Sequence, residues 1–443
     1  MKKGKFEACS VKTLVLNMFL CLSFVSAVQM AFADEGTQTS SGRGPRAWAS
    51  KVSDKITNAT SGWGVTPKIK PHFYASSGFT SDANLGDTIN NDHAWIARVA
   101  PGITISLPME RLYSEVDYTY GFSSIQGSHT HSNNSTHALN ALMRYDLTSD
   151  TALGASNNLQ LSELPGAGGK LFMLDTAQGQ VQHHFSQSLS AELHDVWQWF
   201  NSKFSQPPDH RTDEFKDNGF GGSITYNVTP DLDVSPSFNW HVRRFEHFDN
   251  KNYWSTEPSL GSSYKLGPKT TVTGNFGWQH LRFTGDKTED GLSYGGGIQH
   301  LYGRKFVGAL NYRRSLQSTF DTNFALQNNA LATNLDNLDR DFRVIRTHRI
   351  NSTGTYNFDE RNAFNVFSSF LFANTDAEDN VFEKRDNDEK SMEVGGGYSY
   401  RINKYLSLDL GYTFGRRFST ENADRGSYTF HKITAGVNVA VSA

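Results

Sequence analysis

Residues Asp231 to Arg243 read D-L-D-V-S-P-S-F-N-W-H-V-R, and this stretch decides the fold. Every second residue from Leu232 to Val242 is apolar, whereas the residues between them are all polar. Side chains of a β-strand alternate between two faces, so the pattern predicts a strand with one apolar and one polar face. The segment is also long enough for a tilted membrane strand, which takes about 9–11 residues. We interpret it as one strand of a transmembrane barrel.

The composition of the whole chain agrees with this interpretation. Hydrophobic residues make up 37% of the chain, while aromatic residues reach 13% and there are 38 glycines. A soluble domain of this length would need more apolar residues for its core. Beyond residue 33, no apolar run is long enough for a spanning helix. Low hydrophobicity with many aromatic residues and a period of two predicts an outer-membrane barrel with a wet interior.

The first 33 residues have the features of a signal peptide. Lysines give a positive start, residues 14–28 are mostly apolar, and Ala31-Phe32-Ala33 forms a small-x-small cleavage site. We expect this segment to direct the chain across the inner membrane. Both cysteines, Cys9 and Cys21, lie within it, so disulfides and thiolate metal sites are not expected in the processed chain.

The charge balance of the rest of the chain argues against a nucleic-acid partner. Without the four lysines and one glutamate of the signal segment, 38 basic and 44 acidic residues give a net charge of −6. Nucleic-acid binding usually needs a basic excess. We predict a periplasmic tail over residues 34–65, too short to plug a wide barrel, and a barrel over residues 66–443.

The sequence predicts eighteen strands, which are joined by short and long connections in alternation. They are 67–79, 93–107, 111–123, 136–147, 151–162, 174–186, 189–200, 218–228, 231–244, 254–265, 270–283, 291–301, 305–317, 342–357, 362–374, 390–402, 405–418 and 428–442. Tight turns are predicted at 108–110, 148–150, 187–188, 229–230, 266–269, 303–304, 359–361 and 403–404, and long polar loops at 80–92, 124–135, 201–217, 318–341 and 375–389. Short periplasmic turns against long external loops are typical of outer-membrane barrels, whereas a secreted β-sandwich or solenoid does not predict them. The sequence thus predicts an all-β, antiparallel up-and-down transmembrane barrel of about 18 strands, with 16 as the lower bound.

Arginine pairs near strand ends are the most specific candidates for function. Neighbouring residues on a strand point to opposite faces, so one member of each pair should face the lumen. The pore-lining candidates are Arg243, Arg313, Arg349 and Arg417, with the carboxylates Glu115, Asp117, Asp233 and Asp409 nearer the periplasmic turns. Lumen charges tune which solutes pass. Solvated or mutually paired charges without a role in selectivity are the alternative.

The outward members are candidates for contacts with lipopolysaccharide. A charge is tolerated near the membrane interface, and guanidinium groups bind phosphate through charge-assisted hydrogen bonds. These candidates are Arg244, Arg314, Arg346 and Arg416.

Three loops contain residues that could bind a metal ion or constrict the barrel. The 318–341 loop carries spaced apolar residues, and we expect it to fold inward and constrict the barrel. The acidic 375–390 loop is predicted to be solvated rather than to bind cations. His129, His131 and His137 lack the spacing of a metal site, so no metal is predicted.

Enzymatic activity is the alternative that the sequence supports least. Serine, histidine and acidic residues are plentiful on the strands, which would allow an embedded hydrolase. No nucleophile motif or local triad stands out, and such residues are expected in any wet barrel. We therefore predict neither an enzyme nor a cofactor.

One segment resembles a known family. A loop containing Ser81-Asp82-Ala83-Asn84 precedes the strand Val99-Ala100-Pro101-Gly102-Ile103-Thr104-Ile105, and an aromatic strand from Arg111 to Tyr120 follows. This order resembles the β-barrel porin 2 family of bacterial outer-membrane proteins, over about residues 66–443. The resemblance implies an outer-membrane channel, often linked to envelope or exopolysaccharide systems, without defined catalytic residues.

Two functions follow as expectations. The first is a channel for passive passage of small polar solutes or for export of a polysaccharide. The second is a structural or adhesion barrel whose lumen is closed. Expected partners are outer-membrane lipid and lipopolysaccharide, the barrel-assembly machinery and, for the export role, polysaccharide-export components.

Overall fold

Eighteen β-strands make up the structure, which is a computed structural model. It describes residues 67–81, 93–127, 131–163, 171–203, 214–246, 252–284, 288–303, 305–318, 344–375, 389–419 and 428–440. In chain order, the strands are β1 (Lys68–Thr80), β2 (Ala94–Pro108), β3 (Leu112–Gly127), β4 (His131–Asp146), β5 (Thr151–Glu163), β6 (Leu171–His184), β7 (Leu189–Lys203), β8 (Phe215–Thr229), β9 (Leu232–Phe245), β10 (Tyr253–Lys265), β11 (Thr270–Phe283), β12 (Thr288–Tyr302), β13 (Phe306–Ser318), β14 (Val344–Asn357), β15 (Asn362–Thr375), β16 (Glu389–Arg401), β17 (Leu406–Ser419) and β18 (Tyr428–Ala440).

The sheet closes on itself. Each strand pairs antiparallel with the next one in the chain, and β18 pairs antiparallel with β1. Closure leaves no sheet edge, so every strand finds backbone partners on both sides, as a β-structure in a bilayer requires. The predicted 18-stranded antiparallel barrel is therefore confirmed.

The register assigns the two faces of each strand as the alternation predicts. Phe238 and Trp278 lie outward and are 47% and 49% exposed, as expected for side chains that contact lipid. Asn239 and Gln279, one residue further along, face inward, where Gln279 donates a hydrogen bond to Glu257. The barrel thus has an apolar outer face and a polar interior instead of a continuous hydrophobic core.

The short turns lie where the sequence places them. Two of them use glycines with positive φ, Gly267 at 96° and Gly303 at 68°, a conformation that side chains with a Cβ rarely adopt. The predicted 124–135 loop is wrong in its extent, because β3 continues to Gly127 and β4 begins at His131. Its Ser, Asn and His residues read as a loop, but pairing between the two strands outweighs their low strand propensity.

Several predictions lie outside the described residues. They are the signal peptide over residues 1–33, the tail over residues 34–65, His129, and most of the long loops at 318–341 and 375–390. Among the described residues, no helix is long and apolar enough to span a membrane.

Candidate functional site: the charged lumen

Four carboxylates lie on the inward register toward the end of the barrel where short turns join the strands. Hydroxyl groups of neighbouring strands hold three of them in place. Thr104 donates a hydrogen bond to Asp117 at 2.7 Å, Ser106 donates one to Glu115 at 2.9 Å, and Ser399 donates one to Asp409 at 2.6 Å. The fourth, Asp233, lies opposite Ser263 on the inward register. Hydrogen bonds therefore fix the positions of three of these carboxylates, and the inward lysines Lys68 and Lys70 lie at the same end of the barrel.

Arg313 and Arg349 form an inward cross-strand pair in the outer half of the barrel. They lie directly opposite each other on β13 and β14. Their other cross-strand neighbours are Gly295 on β12 and Leu371 on β15, neither of which carries a charge. Like charges in this arrangement repel each other unless an anion lies between them or water screens them. Two guanidinium groups thus face the lumen at one position of the wall.

More inward cations follow around the wall from this pair. The inward register contains Arg417 on β17, Lys432 on β18 and Arg98 on β2, and these three strands are separated only by β1. Glu393 on β16 is an inward carboxylate in the same region. The alternation of β2 already indicates that Arg98 faces inward, but Arg98, Lys432 and Glu393 are not among the predicted pore-lining residues.

Arg243 is inward, as predicted, but it is not an open charge at the pore mouth. Its Nε donates to Asp217 Oδ2 at 2.7 Å, and His241 Nε2 lies 2.6 Å from Asp217 Oδ1. Arg243 is 6% exposed and Asp217 is 5% exposed. The guanidinium also lies 4.4 Å from the centre of the Phe215 ring, a favourable cation–π contact. Because Asp217 neutralises Arg243, this arginine holds the wall together more than it charges the lumen.

The pairing of Asp217 with Arg243 cannot be recognised from the sequence alone. Asp217 falls in the predicted 201–217 loop, whereas β8 begins at Phe215 and pairs Asp217 with Arg243. Only the register between β8 and β9 reveals that the two residues meet.

Three of the predicted outward arginines lie on the outward register near aromatic or charged side chains. Arg314 lies 5.5 Å from the Tyr294 ring centre, and Arg416 lies 4.6 Å from that of Phe418. Arg244 lies opposite Lys216, whose ammonium is 2.7 Å from Glu246. Aromatic rings next to cations are expected at the membrane interface. Lipopolysaccharide contact by these residues stays a prediction.

The wall is interrupted between the outer ends of β12 and β13. Their pairing ends at Tyr294 and Arg314, whereas β13 stays paired with β14 up to Ser318. Side chains bond the backbone beyond that point, because Leu316 N–H donates to Gln279 Oε1 at 2.7 Å and Arg314 donates to the Leu292 carbonyl at 2.9 Å. Such substitutes are needed, since an unpaired backbone group is costly in a membrane wall.

The same interruption turns Leu316 toward the interior. It is 5% exposed and belongs to a buried cluster with Tyr253, Leu281 and Phe283, which are inward residues of β10 and β11. The outer end of the β13–β14 hairpin therefore leans over the lumen. Arg346 lies opposite Leu316 in this part of β14. Because Leu316 turns inward here, strand alternation alone does not show that Arg346 faces the membrane.

Polar residues behind this cluster stabilise the bend. Glu257 accepts hydrogen bonds from Ser293 at 2.6 Å and from Gln279 at 3.1 Å. Ser293 is fully buried. Gln279 thus connects Glu257 to the backbone of Leu316, and four strands, β10 to β13, contribute to one network.

No metal site is evident in the part of the chain that the structure describes. There, no group of three histidine, cysteine, aspartate or glutamate side chains could hold a metal ion. His137 instead lies 2.8 Å from the Tyr118 hydroxyl through its Nδ1.

Comparisons with known proteins agree with the barrel. A family model described as "Outer membrane protein beta-barrel domain" matches residues 195–337. No curated protein sequence matches the chain. Similar solved structures include OccK5 (OpdH) of Pseudomonas aeruginosa, with 11% identity and a TM-score of 0.46, covering 85% of this chain and 98% of that one. They also include OccK2 (OpdF) of the same organism, solved with glucuronate (12% identity, TM-score 0.47, 85% and 98% covered), and Acinetobacter baumannii OccAB4 (12% identity, TM-score 0.47, 84% and 98% covered). The matched segment is thus similar to an outer-membrane β-barrel domain, and the described residues form a closed antiparallel barrel of 18 strands.

Proposed function

We propose that the barrel is a passive channel for small polar solutes, with a preference for anions in its outer half. The observation that carries the proposal is the inward pair Arg313 and Arg349, which has no carboxylate among its cross-strand neighbours. A barrel that served only as a scaffold would gain nothing from two guanidinium groups held against each other. An anion that passes between them relieves their repulsion.

The inward charges differ between the two ends of the lumen, so an anionic solute would meet a different surface at each end. Arg98, Arg417 and Lys432 extend the basic surface around the outer half, while Glu115, Asp117 and Asp409 lie toward the periplasmic end. Electrostatic screening at physiological salt acts over about 8 Å. An anion would therefore be attracted by the basic outer half without being affected there by the opposite end, where Lys68 and Lys70 lie beside the carboxylates. Such a channel favours solutes that combine an anionic group with neutral polar groups.

The charges that would create this selectivity are positioned by the strands themselves. Arg313 and Arg349 lie on paired backbone, and the carboxylates accept hydrogen bonds from neighbouring hydroxyls. Charges held in place need little reorganisation when a solute arrives, so they act on it at full strength. The lumen needs neither a cofactor nor a catalytic residue for this role.

Polysaccharide export through the same lumen stays a prediction from the sequence, as do contacts with export components and with the barrel-assembly machinery. A closed structural or adhesion barrel is the competing function. It differs from a channel in one property, which is the passage of solutes through the folded protein.

Swelling of proteoliposomes tests the proposal. Liposomes that contain the folded protein should swell in isotonic solutions of small sugars, and faster for pentoses than for disaccharides. Swelling in glucuronate should be faster than in a cationic amino sugar of similar size. Liposomes with heat-unfolded protein serve as the control. Swelling equal to that control with every solute would show a closed lumen.

A further inference from the structure

The outward face of β5 to β8 contains polar side chains where the other strands carry apolar ones. Asp175 on β6 and Asp195 on β7 are, among the described residues, the outward carboxylates that lie at least four residues from both strand ends. Asp195 is near the middle of its strand. Charged groups on the lipid face destabilise a barrel, most strongly near the midplane. These two residues therefore need an explanation other than contact with lipid.

Each carboxylate is paired with an amide on a neighbouring strand. Asn157 donates to Asp175 at 2.7 Å, and Asn218 donates to Asp195 at 3.0 Å. The indole N–H of Trp197 donates to the second oxygen of Asp195 at 3.0 Å. An asparagine amide has two N–H groups, and each of these bonds uses one. The surface thus presents both donors and acceptors outward.

The same surface has a projection beside a hollow. Asn157, Ala177, Trp197 and Asn218 lie directly opposite one another across four strands. Trp197 is 57% exposed. Beside it, Ala177 has a small side chain and the next outward residue, Gly179, has none, so the surface is lower there than at Trp197, and the space outside Gly179 is open.

We propose that this surface, the polar outer patch, binds a second copy of the chain in a two-fold symmetric dimer. The patch comprises Asn157, Asp175, Ala177, Gly179, Asp195, Trp197 and Asn218. Copies in one membrane share an orientation, so their two-fold axis must run along the membrane normal. An axis between β6 and β7 sets β6 of each copy against β7 of the other.

The patch is complementary to itself under this symmetry. Trp197 of one copy meets the Ala177–Gly179 hollow of its partner, and the reverse contact forms at the same time. The same symmetry sets β5 of each copy against β8 of the other, so Asn157 lies opposite Asn218 of the second copy. A symmetric interface of this kind uses the same surface twice. It also removes both carboxylates from lipid and places small residues where two membrane segments approach closely.

Lipid alone would not satisfy these groups. Acyl chains offer neither hydrogen-bond donors nor acceptors, so in a monomer lipid would add nothing to the amide and indole N–H groups that already bind the two carboxylates. A different protein with a complementary surface could cover the patch, but the paired projection and hollow favour an identical chain. The proposal does not depend on conduction through the lumen.

The test is dimerisation of the full-length protein in liposomes. Processed chains labelled through Ser149→Cys, in a periplasmic turn, report association by energy transfer as the protein is diluted with lipid. We expect the chain without further substitutions to form a dimer of two identical copies. Gly179→Trp fills the hollow and Trp197→Ala removes the projection, and each should weaken association by about tenfold or more. Trp240→Ala, on the outward face of β9, is the matched control and should leave association unchanged.

Two further measurements separate a loss of dimerisation from a loss of folding. Heat-modifiable gel mobility verifies that each variant is folded, and Asp195→Leu should weaken the dimer while keeping or raising barrel stability. A monomer at every dilution, a trimer, or a dimer that neither Gly179→Trp nor Trp197→Ala weakens would overturn the proposal. A patch covered only by a different protein would leave the purified chain monomeric and overturn it equally.

Discussion

Arg313 and Arg349 face each other across β13 and β14, on the inward side of the barrel and in its outer half. Their arrangement differs from that of Arg243, which also faces inward but is bound to Asp217 at 2.7 Å. One pair of cations is thus available to a passing solute, whereas the third arginine is already neutralised. Replacing Arg243 should therefore change mainly the stability of the barrel, whereas replacing Arg313 and Arg349 should change mainly its ion selectivity.

Arg243→Gln should destabilise the barrel and change ion selectivity little. Asp217 would lose its charged partner in a buried position, and leaving a buried group without its partner costs about 1–3 kcal/mol. Unfolding by urea in detergent micelles measures the loss. Arg244→Gln, one residue along and outward, is the control. The double variant Arg243→Gln with Asp217→Asn should recover part of the stability, and failure to recover any would show that the ion pair is not the cause.

The bend in β13 should depend on Gln279. Its side chain accepts the N–H of Leu316 at 2.7 Å and donates to Glu257 at 3.1 Å. We expect Gln279→Ala to leave that N–H without its partner, at a cost of about 1–3 kcal/mol. Amide hydrogen exchange at Leu316 should then accelerate. Gln299→Ala on the inward face of β12 is the control, and equal exchange in both variants would mean that Gln279 does not hold the bend.

Replacing an outward aromatic residue by aspartate should hinder assembly. Trp278→Asp places a carboxylate on the lipid face at the cost of up to about 2–4 kcal/mol, whereas Thr273→Asp on the inward face of the same strand should be tolerated. Gln279→Asp is a poor inward control, because Gln279 contacts Glu257. The folded fraction from heat-modifiable gel mobility measures both variants. Similar losses in the two would contradict the face assignment.

The fold could be predicted because its signal is local. Alternation in segments such as Asp231 to Arg243 gives the strands and their faces, and the short connections give the turns. The error at 124–135 arose where the segment's own composition favours a loop and only pairing between β3 and β4 extends the strands.

The site was less predictable, because pairing between strands decides which charges remain unneutralised. The sequence gives Arg243, Arg313 and Arg349 the same inward parity and does not distinguish them. The register of β8 with β9 brings Asp217 to the first, whereas the register of β13 with β14 brings the other two together. Residues 319–343 separate β13 from β14 in the chain, and no local pattern specifies the pairing of these two strands.

The most direct test of the central claim is the reversal potential of single channels in a planar bilayer under a potassium chloride gradient. The account predicts an open channel whose potential indicates anion preference. In the double variant Arg313→Gln with Arg349→Gln the potential should shift toward cation preference, while Arg314→Gln, outward on the same strand, should leave it unchanged. A bilayer without conductance, or a potential that the double variant does not move, would contradict the account.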